Sequence, residues 1–132
     1  MKRILVGRAV VALVALPVAC NLFGPDQSVV LDVTRIDAPA TISSGATLTV
    51  VLNVTVGGCK MFDHIAVERG TSSASLTAWG RDAAKGRSDV ACPAFIANEP
   101  HSYRFDPPFQ SPFTLQVDRV GLPPLSATVQ VQ

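Results

Sequence analysis

Ala46-Thr-Leu-Thr-Val-Val-Leu-Asn-Val-Thr-Val56 is the stretch that decides how this chain folds. Leu48, Val50, Leu52, Val54 and Val56 occupy every second position. Thr47, Thr49, Asn53 and Thr55 lie opposite, and Val51 is the exception. Side chains alternate between the two faces of a strand, so this period of two makes one apolar and one polar face. No helical period fits the segment as well. It predicts a strand with one side turned to a core.

The same period recurs on both sides. Val29–Ile36 is β-branched and half alternating, and reads as one strand. Phe62–Arg69 sets Ile65 and Val67 on one face. Ser73–Gly80 alternates Ala74, Leu76 and Ala78 with Ser75, Thr77 and Trp79, and leaves open which set faces inward. Ser102–Asp106, Phe113–Asp118 and Leu125–Val131 complete the series. Breakers separate the runs: Ala38-Pro39, Ser44-Gly45, Gly57-Gly58, Arg69-Gly70, Pro107-Pro108 and Gly121 to Pro124. Seven short strands without a long amphipathic helix predict an all-β, antiparallel β-sandwich.

One interval is longer. Arg81–Pro100, RDAAKGRSDVACPAFIANEP, reads as a loop of about twenty residues, in which Asp82–Lys85 would make one helical turn. Exposed loops on a rigid scaffold are where binding usually resides.

Composition narrows the classes. The chain has 132 residues, 48% hydrophobic and 16% charged, with a formal net charge of +1. That suits one domain of modest size and argues against a highly charged disordered chain. It gives no electrostatic case for nucleic acid as a partner.

The first residues read as an address. Lys2, Arg3 and Arg8 form a positive region before the uncharged run Ala9–Ala19, AVVALVALPVA. Eleven residues suit a signal h-region and are too few for a transmembrane helix, which needs about 20. The run ends in Leu16-Pro17-Val18-Ala19-Cys20, which resembles the lipobox of bacterial lipoprotein precursors. The small residue that this family requires before its cysteine is Ala19. The family's preferred leucine, three residues before the cysteine, is replaced by Pro17, and Leu16 stands one position early. The resemblance implies cleavage before Cys20, a diacylglycerol on its thiol and often an acylated amine. Two or more acyl chains anchor stably, at about 0.8 kcal/mol per buried CH2. The expected organisation is a signal peptide at 1–19, a lipidated tether at 20–28 and a domain at 29–132. The expected location is the extracytoplasmic side of a bacterial cell envelope.

The remaining cysteines follow from that. With Cys20 lipidated in an oxidising compartment, Cys59 and Cys92 are expected to form one disulfide. Removing Lys2, Arg3 and Arg8 leaves eight basic against ten acidic residues, a net charge of −2. The lipid, rather than a polybasic patch, would hold this chain to a membrane.

The body resembles the immunoglobulin-like sandwich domains of bacterial surface proteins. The resemblance is carried by Val33-Thr-Arg-Ile-Asp-Ala-Pro-Ala-Thr-Ile42, by Ser44-Gly45 with the long strand after it, and by Leu125–Val131. In antibody-type domains the disulfide pins the two sheets against a tryptophan. Here Cys59 follows Gly57-Gly58 and Cys92 lies in the irregular interval, so the bridge reads as a staple at one end. The resemblance implies a fold and no activity.

Catalytic chemistry finds little support. His64 and His101 are the only histidines, no Gly-x-Ser-x-Gly elbow occurs, and no glycine-rich phosphate loop is present. Asp63, Glu68, Asp82, Asp89, Glu99 and Asp106 form no pair that spacing singles out. The expectation is a non-enzyme without cofactor or metal, serving as a binding or structural module for an envelope protein or glycan. Trp79, Arg81, Lys85, Arg87 and Phe95 are its candidate ligand-binding residues, with Phe109 a further aromatic. The alternative is a metal-handling or redox protein using Cys59, Met61, His64 and Cys92, since soft sulfur ligands with imidazole suit copper(I). That set needs a reduced Cys59, and strict alternation puts Met61 and His64 on opposite faces.

Overall fold

A computed structural model describes residues 27–132, and all of its regular structure is β. The expected signal peptide, Cys20 and most of the expected tether lie outside the described residues. Nine strands follow in order: β1 (Gln27–Val30), β2 (Val33–Asp37), β3 (Thr41–Ile42), β4 (Leu48–Gly57), β5 (Lys60–Arg69), β6 (Ser73–Asp82), β7 (Ile96–Phe105), β8 (Phe113–Val117) and β9 (Leu125–Val131).

They form one curled, mixed sheet with two limbs. In the first, β4 pairs antiparallel with β2 and with β7. In the second, β5 takes one edge of β6, while β1 and β8 share the other, and β9 and β3 follow. The limbs join at the β4–β5 turn, where Gly57 and Lys60 are the one register pair.

The alternation read from sequence packs the core. Leu48, Val50, Leu52 and Val54 of β4 are fully buried, and Val56 nearly so. They meet Ala74, Leu76 and Ala78 of β6 and Phe113, Leu115 and Val117 of β8 in one cluster. Trp79 is therefore on the outer face of β6, opposite Ala78, which resolves the choice the sequence left open. Burying a Leu or Val side chain contributes about 1.5–3 kcal/mol, so these rows hold the limbs together.

Three expectations need correction. The sheet is mixed, not wholly antiparallel: β6–β8 and β3–β9 are parallel. Alternation fixes a strand's face but not its direction, and the chain visits β7 on the first limb before β8 returns beside β6. Among the described residues there are nine strands rather than seven, because the predicted strand Val29–Ile36 is two and the short β3 was not foreseen. At Leu31-Asp32 the chain passes from one limb to the other. The Leu31 amide donates to the Ala78 carbonyl at 2.8 Å, and the Thr55 amide donates to the Asp32 carbonyl at 2.8 Å. Finally, the irregular interval is shorter than expected, 83–95. Strand β6 continues to Asp82 and β7 begins at Ile96, running through Pro100. A proline inside a strand is tolerated at an edge, and β7 pairs with β4 alone.

Two glycines permit close approaches. A Cβ on Gly80 would lie 2.5 Å from the Met61 carbonyl oxygen and 2.6 Å from Leu31 Cδ1, so both the neighbouring strand and the crossing residue need a glycine there. Gly57, at φ 130°, lets the start of β7 pass over the turn, where a Cβ would lie 2.8 Å from Ile96 Cα.

Candidate functional site: an apolar end face

The β4–β5 turn, the interval 83–95 and the 118–124 loop gather at one end of the sheet. Cys59, in the turn, is joined to Cys92 as a disulfide with Cα atoms 5.0 Å apart, which is the pairing the sequence predicted. Main-chain bonds complete the clamp. The Gly58 amide donates to the Phe95 carbonyl at 3.0 Å, and the Ala83 amide to the Cys59 carbonyl at 3.1 Å. The segment expected as one helical turn closes as a hydrogen-bonded turn, in which the Ala84 amide donates to Asp82 Oδ1 at 2.9 Å.

Held this way, Phe95 is 56% exposed and Ile96 81%. Met61 at the start of β5 and Val120 and Leu122 after β8 are also exposed. These five are the large exposed hydrophobics among the described residues, and all belong to segments gathered at this end. Phe95, Ile96 and Val120 line an apolar groove of about 610 Å3 together with Val30, Leu31 and Val56. Asp32 at its wall is bound by Arg119, Nε to Oδ1 at 3.2 Å, and both side chains are largely covered. A shallower groove adjoins it across Val30, Lys60 and Val120, and is lined by Trp79, Asp82 and Lys85.

The predicted ligand-binding residues are partly brought together. Phe95 lines the first groove, and Trp79 and Lys85 line the second. Arg81, Lys85 and Arg87 do not form a joint basic cluster. Arg81 pairs with Asp63 at 3.4 Å, Arg87 pairs with Asp89 at 3.3 Å, and Lys85 Nζ donates to the Ser28 carbonyl at 3.3 Å. Phe109 belongs to the other end, packed edge-on against Phe113 beneath Arg69. Val30, Ile96, Val120 and Leu122 were not singled out by sequence. Their signal is weak: apolar residues in or beside segments rich in Gly and Pro, without periodicity.

Two acidic side chains are perturbed. The His64 Nδ1 bond at 3.0 Å holds the Asp63 carboxyl below its ordinary value, and the Arg81 charge adds to this. Asp89 is lowered chiefly by its bond from Arg87, then by its own amide.

Strand β5 carries a bulge between Phe62 and His64. Met61 pairs with Arg81 and His64 with Trp79, which are two residues apart on one face, so Met61 and His64 share the outer face. Strict alternation had separated them, and the extra residue, Asp63, removes the separation. The disulfide takes both thiols out of any ligand set formed with them. Among the described residues, no three His, Cys, Asp or Glu side chains converge as metal ligands.

The chain matches no protein-family model, no curated protein and no solved structure.

Proposed function

We propose that this chain is a lipid-anchored protein of the bacterial cell envelope, held on the extracytoplasmic side through Cys20. It acts as a non-catalytic binding or structural module for an envelope protein or glycan. The observation that carries this reading is the N-terminal sequence itself. A positive start, an eleven-residue apolar run and Ala19-Cys20 form a signal of the lipoprotein type. The Cys59–Cys92 disulfide agrees with export, because such bonds persist in oxidising compartments.

In this reading the curled sheet is an immunoglobulin-like sandwich. Its support is the enclosed core between limbs joined at β4–β5, with the N-terminal segment crossing from one limb to the other. Where antibody-type domains place a disulfide through the core, this chain fastens a loop at the end of the sheet. A small domain with such a fastened loop is a rigid scaffold on which a recognition surface can be presented.

Membrane fractionation of cells expressing the wild-type chain and Cys20→Ala tests the anchor. The wild type is expected in the membrane fraction and the variant in the soluble exported fraction. Identical fractionation of the two would overturn the proposal.

A further inference from the structure

We infer that the apolar end face rests on the bilayer, with Phe95 and Ile96 at the headgroup boundary, so that the domain lies on the membrane rather than extending away from it. The inference depends on the lipid-anchored reading and adds an orientation and a contact surface to it.

Three independent observations meet at this end. The first is where the anchored segment arrives. Gln27 pairs with Asp82, the last residue of β6, so the tether joins the domain beside the turn and loop that carry the apolar residues. From Cys20 to Gln27 the chain spans at most about 25 Å when fully extended. The bilayer that holds Cys20 is therefore within reach of this face.

The second is the distribution of apolar surface. Monomeric soluble proteins rarely expose contiguous apolar patches larger than a few hundred Å2, and larger ones mark a contact; here Phe95, Ile96 and Val120 border one apolar groove. The exposed large hydrophobics, Met61, Phe95, Ile96, Val120 and Leu122, all belong to segments at this end. At the other end Arg69 covers the aromatic cluster, with its guanidinium carbon 4.7 Å from the Phe109 ring centroid. Phe95 and Ile96 are also fastened by the Cys59–Cys92 bond and the Gly58–Phe95 bond. Inserting them into a membrane orders nothing that is not already ordered.

The third is the polar trim. Tryptophan and lysine favour the membrane interface, where the ring lies among headgroups and the ammonium meets phosphate. Trp79, Lys60 and Lys85 border the shallower groove beside the apolar one. Arg81, Arg87 and Arg119 are each paired with a carboxylate, whereas Lys60 and Lys85 have none within ion-pair distance among the described residues. Lys85 is held by the Ser28 carbonyl at 3.3 Å, and Asp82 lines the same groove, but neither lysine's charge is neutralised by an ion pair, so both remain able to meet anionic headgroups.

Trp79 is the chain's single tryptophan, so its fluorescence reports this region alone. The test uses the full lipidated chain reconstituted into phosphatidylethanolamine–phosphatidylglycerol vesicles, with and without brominated acyl chains. Trp79 emission is expected to fall about twofold with brominated lipid, as for an interfacial indole, and to resist aqueous iodide. Phe95→Asp with Ile96→Asp should restore emission while flotation with vesicles persists. Both side chains are exposed, so the fold has no need of them; Val120→Asp supplies an independent variant. Flotation with unquenched Trp79 would overturn the docking and leave the anchor standing. Quenching indifferent to all three substitutions would overturn it as well. Shielding from both quenchers would mean that residues 20–26 or a second copy cover the face, again against the inference. Failure to float would remove the anchor, and the docking with it.

Discussion

Leu31 enters the core directly over Gly80, with its Cδ1 2.6 Å from where a Cβ on that glycine would lie. At this point the chain leaves β6 for β4, so one glycine accommodates the residue that ties the two limbs. Gly80→Ala should destabilise the domain by about 1–3 kcal/mol through overpacking. Leu31→Ala should cost about 2–5 kcal/mol. A Cβ on Gly80 would also lie 2.5 Å from the Met61 carbonyl oxygen, which Leu31→Ala leaves in place. The double variant should therefore recover only the Leu31 share of the clash and cost somewhat less than the sum in urea unfolding; a cost above the sum would contradict packing of Leu31 on Gly80.

The disulfide closes 33 residues of sequence between the β4–β5 turn and the loop before β7. On the chain-entropy account its loss costs about 3–4 kcal/mol. Cys59→Ala with Cys92→Ala should lower the urea midpoint accordingly, and reductant should do the same to the wild type but nothing further to the variant. Hydrogen exchange in 83–95 should accelerate more than in β4.

Arg69 fastens the opposite end. It donates to the carbonyls of Asp106 and Pro108, and its guanidinium lies over the Phe109 ring. A planar fork performs both tasks at once, which an ammonium cannot. Arg69→Lys should therefore destabilise by about 1–2 kcal/mol, combining a weakened cation–π contact with a lost charged hydrogen bond. A change within error in thermal unfolding would show that the clamp contributes nothing.

Asp63 predicts an acid dependence. Its carboxyl is lowered by the His64 bond and the Arg81 charge from an ordinary 3.8, so the folded state binds its proton less readily than the unfolded chain. Its stabilising contribution is complete above that ordinary value and is lost as pH falls through the lowered one. Wild type and Asp63→Asn should thus differ most near neutrality and converge in acid. A constant difference across unfolding curves at successive pH values would contradict this.

Much of the architecture was legible because of one periodicity. Alternation in Leu48–Val56 and Phe113–Val117 gave the inner rows, and in Ser73–Gly80 it gave two faces of which the structure shows Ala74, Leu76 and Ala78 to be the inner one. The same rule says nothing about which strand pairs with which. Hence the parallel β6–β8 pair and the crossing at Leu31-Asp32 were not visible. Pro100 concealed the first half of β7, whose tolerance for proline depends on its being an edge. The bulge at Asp63 likewise shifted His64 to the face of Met61 without any signal in composition.

The candidate site was half legible. Phe95 and Trp79 were identifiable as aromatics in or beside an unusual loop, and both line the end face. Ile96, Val120 and Leu122 were not, because an apolar residue in a turn has no period to betray it. Phe109 looked equivalent to Phe95 in sequence, yet Arg69 covers it. Only the folded chain separates an aromatic that packs from one that is presented.

The central claim is that Cys20 becomes the lipidated first residue while Cys59 and Cys92 are bonded. Intact mass spectrometry of the protein purified from its own membranes, with thiol alkylation before and after reduction, reads both at once. The expected result is a chain beginning at Cys20, heavier by its acyl groups, with no alkylation before reduction and two alkylated thiols after it. An unacylated chain with Cys59 and Cys92 free from the outset would contradict the account.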